Sequence, residues 1–153
     1  MDIYLAAMAN KPPLIPTRLR AKLETARIAR LATLDAERRP HAVPICFTFD
    51  GSVFYSAIDR KPKQVAPNRL ARLKNIKKTP QVALLVDHYD EDWARLWYVL
   101  VRGDAELVSS PVERKRALQL LRAKYPQYGL DMLQDDAPVL RITPRRITAW
   151  GNI

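Results

Sequence analysis

The residues with the clearest chemical promise lie between Ser52 and Lys78. From Arg60 to Lys78 there are eight basic side chains (Arg60, Lys61, Lys63, Arg69, Arg72, Lys74, Lys77, Lys78) and no acidic one. They follow a strand-like run, Ser52–Ile58, and lead into a helical pattern. Cations at the end of a strand and the start of a helix suit phosphate. Lysine brings a point charge, arginine a planar fork, and a helix start brings unpaired N–H groups. The plainer alternative is a solvated basic helix face.

Other candidates for chemistry are sparse. Only His41 and His88 offer imidazoles near neutrality. No Ser/His/Asp or Cys/His constellation is evident, and no glycine-rich phosphate loop, since the chain holds four glycines. His88 with Asp87, Asp90, Glu91 and Asp92 matches no regular metal spacing, so no metal is expected. Trp93 and Trp97 can stack on a ring or pack in the core.

The composition bounds the answer. A chain of 153 residues, 48% hydrophobic and 27% charged, fits one soluble domain, 1–153. No apolar run is long enough to span a bilayer. Residues 1–16, with Pro12, Pro13 and Pro16, read as an extended arm and not as a signal peptide. Cys46 is the sole cysteine, which excludes an intrachain disulfide and makes the cytoplasm the default location. The net charge of +10 calls for an anionic partner. No recognition helix, aromatic RNA motif or basic amphipathic helix stands out, so neither nucleic acid nor membrane is expected.

The positioning elements follow from periodicity. Thr17 caps a first helix with Leu19 and Leu23 inward. Ile28–Leu34 alternates as a strand, and the next places Val43, Ile45, Phe47 and Phe49 on one face. Asp50-Gly51 signals a two-residue hairpin into the third strand, making a three-strand meander. Pro44 inside the second strand points to an edge, a bulge, or a place where a ligand lies alongside. Leu70, Leu73 and Ile76 form a helix ended by Thr79-Pro80. Gln81–Val86 is a buried strand and Leu96–Val108 a long one. Ser110-Pro-Val-Glu113 is a capping box opening a helix to about Lys124. Val139–Thr143 and Arg146–Trp150 make two closing strands around Pro144. Hairpin-linked strands with three helices predict a mainly β fold, an antiparallel barrel with helices at its ends.

Ile28-Ala-Arg-Leu-Ala-Thr-Leu34, Arg39-Pro-His-Ala-Val-Pro-Ile45 and Val53-Phe-Tyr-Ser56 resemble the opening of the split β-barrel flavin-binding superfamily, that of pyridoxamine-phosphate oxidase and the deazaflavin-dependent reductases. Asn75–Asp87 and Trp97–Leu107 are similar to its helix-to-strand segment and its long strand. Lys61-Pro-Lys63 with Asp87–Trp93 resembles the branch described as probable users of coenzyme F-420. The resemblance implies a split barrel, a homodimer, and a cofactor groove between subunits that serves hydride transfer to a small-molecule substrate. It implies that His41, Val43, Pro44 and Ile45 line the ring or linker, and that Ser56, Lys61, Lys63 and Asn75 lie on the phosphate side. This chain is longer than the family's short form between Lys63 and Asn75, so Arg69 or Arg72 can replace either lysine there. Arg60 and Trp97 complete the candidate set.

Two cofactors compete. Flavin mononucleotide (FMN) carries one phosphate; F-420 carries a phosphodiester and a glutamate tail. Eight acid-free cations exceed what one phosphate needs and favour F-420, with FMN as the alternative. A non-catalytic flavin- or haem-binding protein of the same fold is a further alternative.

Overall fold

The computed structural model describes residues 13–59, 70–129 and 131–153, together with the backbone of Ile3–Ala6. Its eight strands are β1 (Ile3–Ala6), β2 (Ala29–Leu34), β3 (Pro40–Ile45), β4 (Thr48–Phe49), β5 (Phe54–Ala57), β6 (Gln81–His88), β7 (Trp97–Leu107) and β8 (Val139–Gly151). The helices are α1 (Thr17–Thr25), α2 (Ala71–Lys78) and α3 (Pro111–Lys124). All pairings are antiparallel, in the order β3-β2-β6-β7-β8-β5-β4, with β1 also on β8. The extended arm therefore begins as a strand on its own chain's β8.

The sheet must curl. β3 and β4 stand at opposite ends of the strand order, yet only Cys46 and Phe47 separate them in the chain. Three Cα steps span at most about 11 Å. The two ends are thus drawn together without pairing, which is a split barrel. The expected meander is corrected here: β2–β3 and β4–β5 are hairpins, but β3 and β4 are not neighbours in the sheet. Pro44 sits on the edge strand of the described sheet, where a missing N–H costs no ladder bond.

Alternation drives the layers. Leu31, Leu84, Val86, Val99 and Val101 are fully buried inside the barrel, with Leu19 and Leu23 of α1 closing one end. Leu118 and Leu121 of α3 join Val139 and Tyr55 in a second cluster outside it. The outward residues of β2, β6 and β7 are also partly apolar: Ala32, Leu34, Ala83, Leu85 and Leu100 are half-buried.

Other expectations shift in detail. The Asp50-Gly51 turn is a four-residue loop, because Phe49 pairs with Phe54. Asp50 Oδ1 accepts from the N–H groups of Ser52 and Val53, both at 2.9 Å, which makes the longer loop self-supporting. The two closing strands are one strand, for Pro144 falls at a bulge with Arg145 as the extra residue. Gly103 makes that bulge possible, since a Cβ there would lie 2.2 Å from the Thr143 carbonyl oxygen. At α3, Ser110 Oγ accepts from the Glu113 N–H at 3.3 Å, but the Glu113 carboxylate turns to Tyr55 and Arg141 instead of closing the capping box.

Candidate functional site

The split is held by one hydroxyl. The Phe47 N–H donates to Tyr125 Oη at 3.0 Å, and Tyr125 Oη lies 2.8 Å from the carbonyl oxygens of both Phe47 and Arg27. Burial pushes the phenol's pKa up to about 12, so it stays a neutral donor. Tyr125 thereby ties the end of α3 to the crossing between the two sheet ends.

Beside this tie a cleft of about 200 Å³ opens across the split. Ile28, Pro44, Ile45 and Cys46 form one wall, Ser56, Ala57 and Asp59 the other, with Arg72 of α2 and Tyr128 completing the lining. Tyr128 Oη donates to Asp59 Oδ2 at 3.1 Å. Burial raises the Tyr128 pKa, and contact with Cys46 and Asp59 adds to it. Arg72 is partly buried, and its Nε has no hydrogen-bond partner. Burial lowers its pKa, with the more distant Asp59 and Tyr128 opposing.

The orphaned Nε alone is not decisive, because Arg122 and Arg141 leave theirs unbonded too. Their other guanidinium nitrogens are occupied, however: Arg122 by Leu133 O and Asp135, Arg141 by Glu106 and Glu113. Arg72 has no hydrogen bond or ion pair among the described residues. A guanidinium whose Nε is buried and unsatisfied while its outer nitrogens stay open gains from a bound anion. The residues present therefore fit a phosphate-bearing group.

A second compartment, about 400 Å³, adjoins the first and shares Ile28, Cys46, Asp59 and Tyr128 with it. It adds Arg27, Tyr125, Gln127 and Met132.

The structure brings together Pro44, Ile45, Ser56 and Arg72 of the expected site. Arg60, Lys61, Lys63 and Arg69 lie outside the described residues. Val43 packs against the barrel core. His41 lies opposite Thr33, with Nδ1 buried and unbonded. Asn75 is buried, and its Nδ2 donates to Thr33 Oγ1 at 2.9 Å, fastening α2 to β2 away from the cleft. Trp97 is also elsewhere, stacked on His88 at 6.1 Å in a separate polar depression. His88 and Asp90 are 3.7 Å apart, and Asp90 is held by Arg95 at 3.2 Å. Cys46, Asp59 and Tyr128 were not singled out from sequence. For Asp59, its place at the end of a strand before the basic run was an available signal. Tyr128 had none, since its arrival depends on how the chain after α3 folds back.

The comparisons agree with this architecture. The family model for pyridoxamine 5'-phosphate oxidase matches residues 15–151. No curated protein matches. A conserved hypothetical protein of Mycobacterium tuberculosis superposes with a TM-score of 0.73 at 19% identity, over 95% of this chain and 90% of that one. An F420 reductase gives 0.65 at 23%, over 87% and 98%. HutZ, the haem storage protein of Vibrio cholerae, gives 0.63 at 18%, over 83% and 87%. With the split barrel, its cleft and a match spanning nearly the whole sequence in hand, this chain belongs to the pyridoxamine 5'-phosphate oxidase family.

Proposed function

We propose that this protein is a single-domain, cytoplasmic, homodimeric oxidoreductase that uses the deazaflavin coenzyme F-420 for hydride transfer with a small organic substrate. The observation that carries the reading is Arg72, an open guanidinium in a cleft between Pro44–Ile45 and Ser56. Arg72 would take the phosphate, with Arg60, Lys61, Lys63 and Arg69 contributing from the preceding segment. The cofactor supplies the hydride chemistry; the chain binds it, orients it and excludes water.

The outer helix face favours the longer anion. Lys74, Lys77 and Lys78 are exposed and carry no ion pair among the described residues, which suits a glutamate tail. The apolar outer face of the sheet, with its depression of about 440 Å³ at Ala32, Leu34, Pro40 and Ala83, supports a second copy packing there. The FMN reading keeps one observation in its favour: among the described residues the cleft itself presents a single arginine, enough for one phosphate.

Titration calorimetry with FMN and with F-420 of short and long tails, at two salt concentrations, tests the reading. F-420 affinity should rise with tail length and fall with salt, since exposed charges are screened over about 8 Å at physiological ionic strength. Reversing Lys74 and Lys78 to glutamate should remove the tail-length effect and leave ring binding in place. Tighter FMN binding at both salts would replace F-420 by FMN. A mass in light scattering equal to one chain would remove the dimeric groove.

A further inference from the structure

The second compartment has a polarity that the cofactor reading leaves unused. Its floor is aromatic and apolar, formed by Tyr125, Tyr128, Met132 and Ile28. Two charged groups of opposite sign line it. Asp59 lies at the wall shared with the cofactor cleft and receives the Tyr128 hydroxyl. Arg27 belongs to this compartment only. Its Nη1 donates to the Lys124 carbonyl, and its Cζ lies 5.4 Å from the centre of the Tyr125 ring. These contacts hold the guanidinium in place but leave its charge uncompensated, for no carboxylate pairs with Arg27 among the described residues.

The Arg27 end is further biased toward positive charge by Lys124. That ammonium sits 4.0 Å over the Phe47 ring and donates to the Leu23 carbonyl at 3.3 Å. Its pKa is lowered to about 8, by burial and then by the charge of Arg27; Cys46 and Glu24 oppose this. A ligand with one anionic end and a flat apolar body satisfies this layout in one orientation. The anion faces Arg27, and the apolar end reaches the wall of Ile28, Cys46 and Tyr128.

We propose that the second compartment is a binding site for a flat, mostly apolar organic monoanion, anchored by Arg27 and seated on Tyr128 and Met132. Its role as the substrate side of the cofactor cleft rests on the oxidoreductase reading; the anion site itself does not.

The probes are 2-naphthoate and its neutral counterpart 2-naphthalenemethanol, titrated calorimetrically into the full chain. Naphthoate should bind more tightly than the alcohol. Arg27→Gln should weaken naphthoate about tenfold or more, as expected for a lost charge-assisted bond, and leave the alcohol within about twofold. Arg27→Lys should restore part of the loss, which separates charge from any shift of the chain. Met132→Ala should weaken both probes alike. Equal binding of the two probes, no effect of Arg27→Gln, or no binding of naphthoate would overturn the proposal. Saturating FMN or F-420 should leave naphthoate binding in place. Competition would merge the compartment into the cofactor site and overturn the proposal while the cofactor reading stood. Naphthoate binding with neither cofactor bound would do the reverse.

Discussion

Arg141 and Arg72 are both partly withdrawn from water, and the protein treats them in opposite ways. Arg141, on β8, donates to Glu113 Oε1 and Oε2 at 2.9 and 3.0 Å and to Glu106. The Tyr55 hydroxyl joins the same Glu113 oxygen at 3.0 Å. The network closes on itself: Glu106 first, then Glu113, holds the Arg141 pKa up, while burial and Glu113 raise that of Tyr55. Arg72 has the same kind of head group and a comparable setting, but Asp59 only faces it from a distance. A cation whose acceptors come from its own chain fixes β5, α3 and β8 to one another. A cation left without them among the described residues keeps its donors open to a bound anion.

The contrast can be broken in three places. The largest expected effect is on stability at Glu113. Glu113→Ala strips Tyr55 of its acceptor and leaves Arg141 with Glu106 alone, and should cost about 2–3 kcal/mol in urea unfolding, with cofactor affinity unchanged. A loss below about 0.5 kcal/mol would mean that the closed network contributes little. Next is Arg72→Ala. It should weaken cofactor binding by about 1.5–3 kcal/mol while unfolding moves by no more than about 0.5 kcal/mol. The opposite outcome, a destabilised protein that binds normally, would make Arg72 a structural residue and erase the distinction.

The smallest effect concerns Lys124. Its folded pKa of about 8 lies below the ordinary 10.5, so between those values the unfolded chain binds more protons. Stability should therefore rise as pH goes from 8 toward 10. Tyr125, raised from 10.0 to about 12, acts with the other sign above pH 10 and limits the window. Lys124→Met should flatten the rise in urea midpoints between pH 8 and 10. An unchanged slope would show that another group produces it. The size will be modest, because the ammonium keeps part of its hydration.

Local chemistry made much of the fold legible. The alternation in Trp97–Leu107 gave both faces of β7, and Ser110-Pro111 placed the start of α3 where it lies. What local patterns could not carry was closure. Nothing in residues 43–49 says that β3 and β4 join opposite ends of a sheet, since that follows only from β5 pairing with β8 more than eighty residues later. The cleft lining divides in the same way. Pro44 and Arg72, which line it, are chemically out of place in the sequence, a proline in a strand and a cation at a helix start. Asn75 and Trp97 are polar or aromatic groups of the right kind. For Trp97 the alternation with Val99 and Val101 on β7 already pointed inward, whereas Asn75, about 100° from Ile76 and about 200° from Leu73 around α2, carried no such mark. Tyr128 reaches the cleft through a fold-back that no repeat or turn signal marks.

The two-residue crossing at Cys46–Phe47 also bears on the order of assembly. The β2–β3 and β4–β5 hairpins are local and cheap in chain entropy, whereas β5 cannot find β8 until the intervening chain has been laid down. By chain separation, closure of the barrel is thus expected late, and the Tyr125 tie across the gap, 78 residues from Phe47, belongs with it. The last contacts to form are also the first available for partial opening. Amide exchange should accordingly be fastest at the crossing and slow when a ligand spans it, while β6, β7 and β8 stay protected in either state.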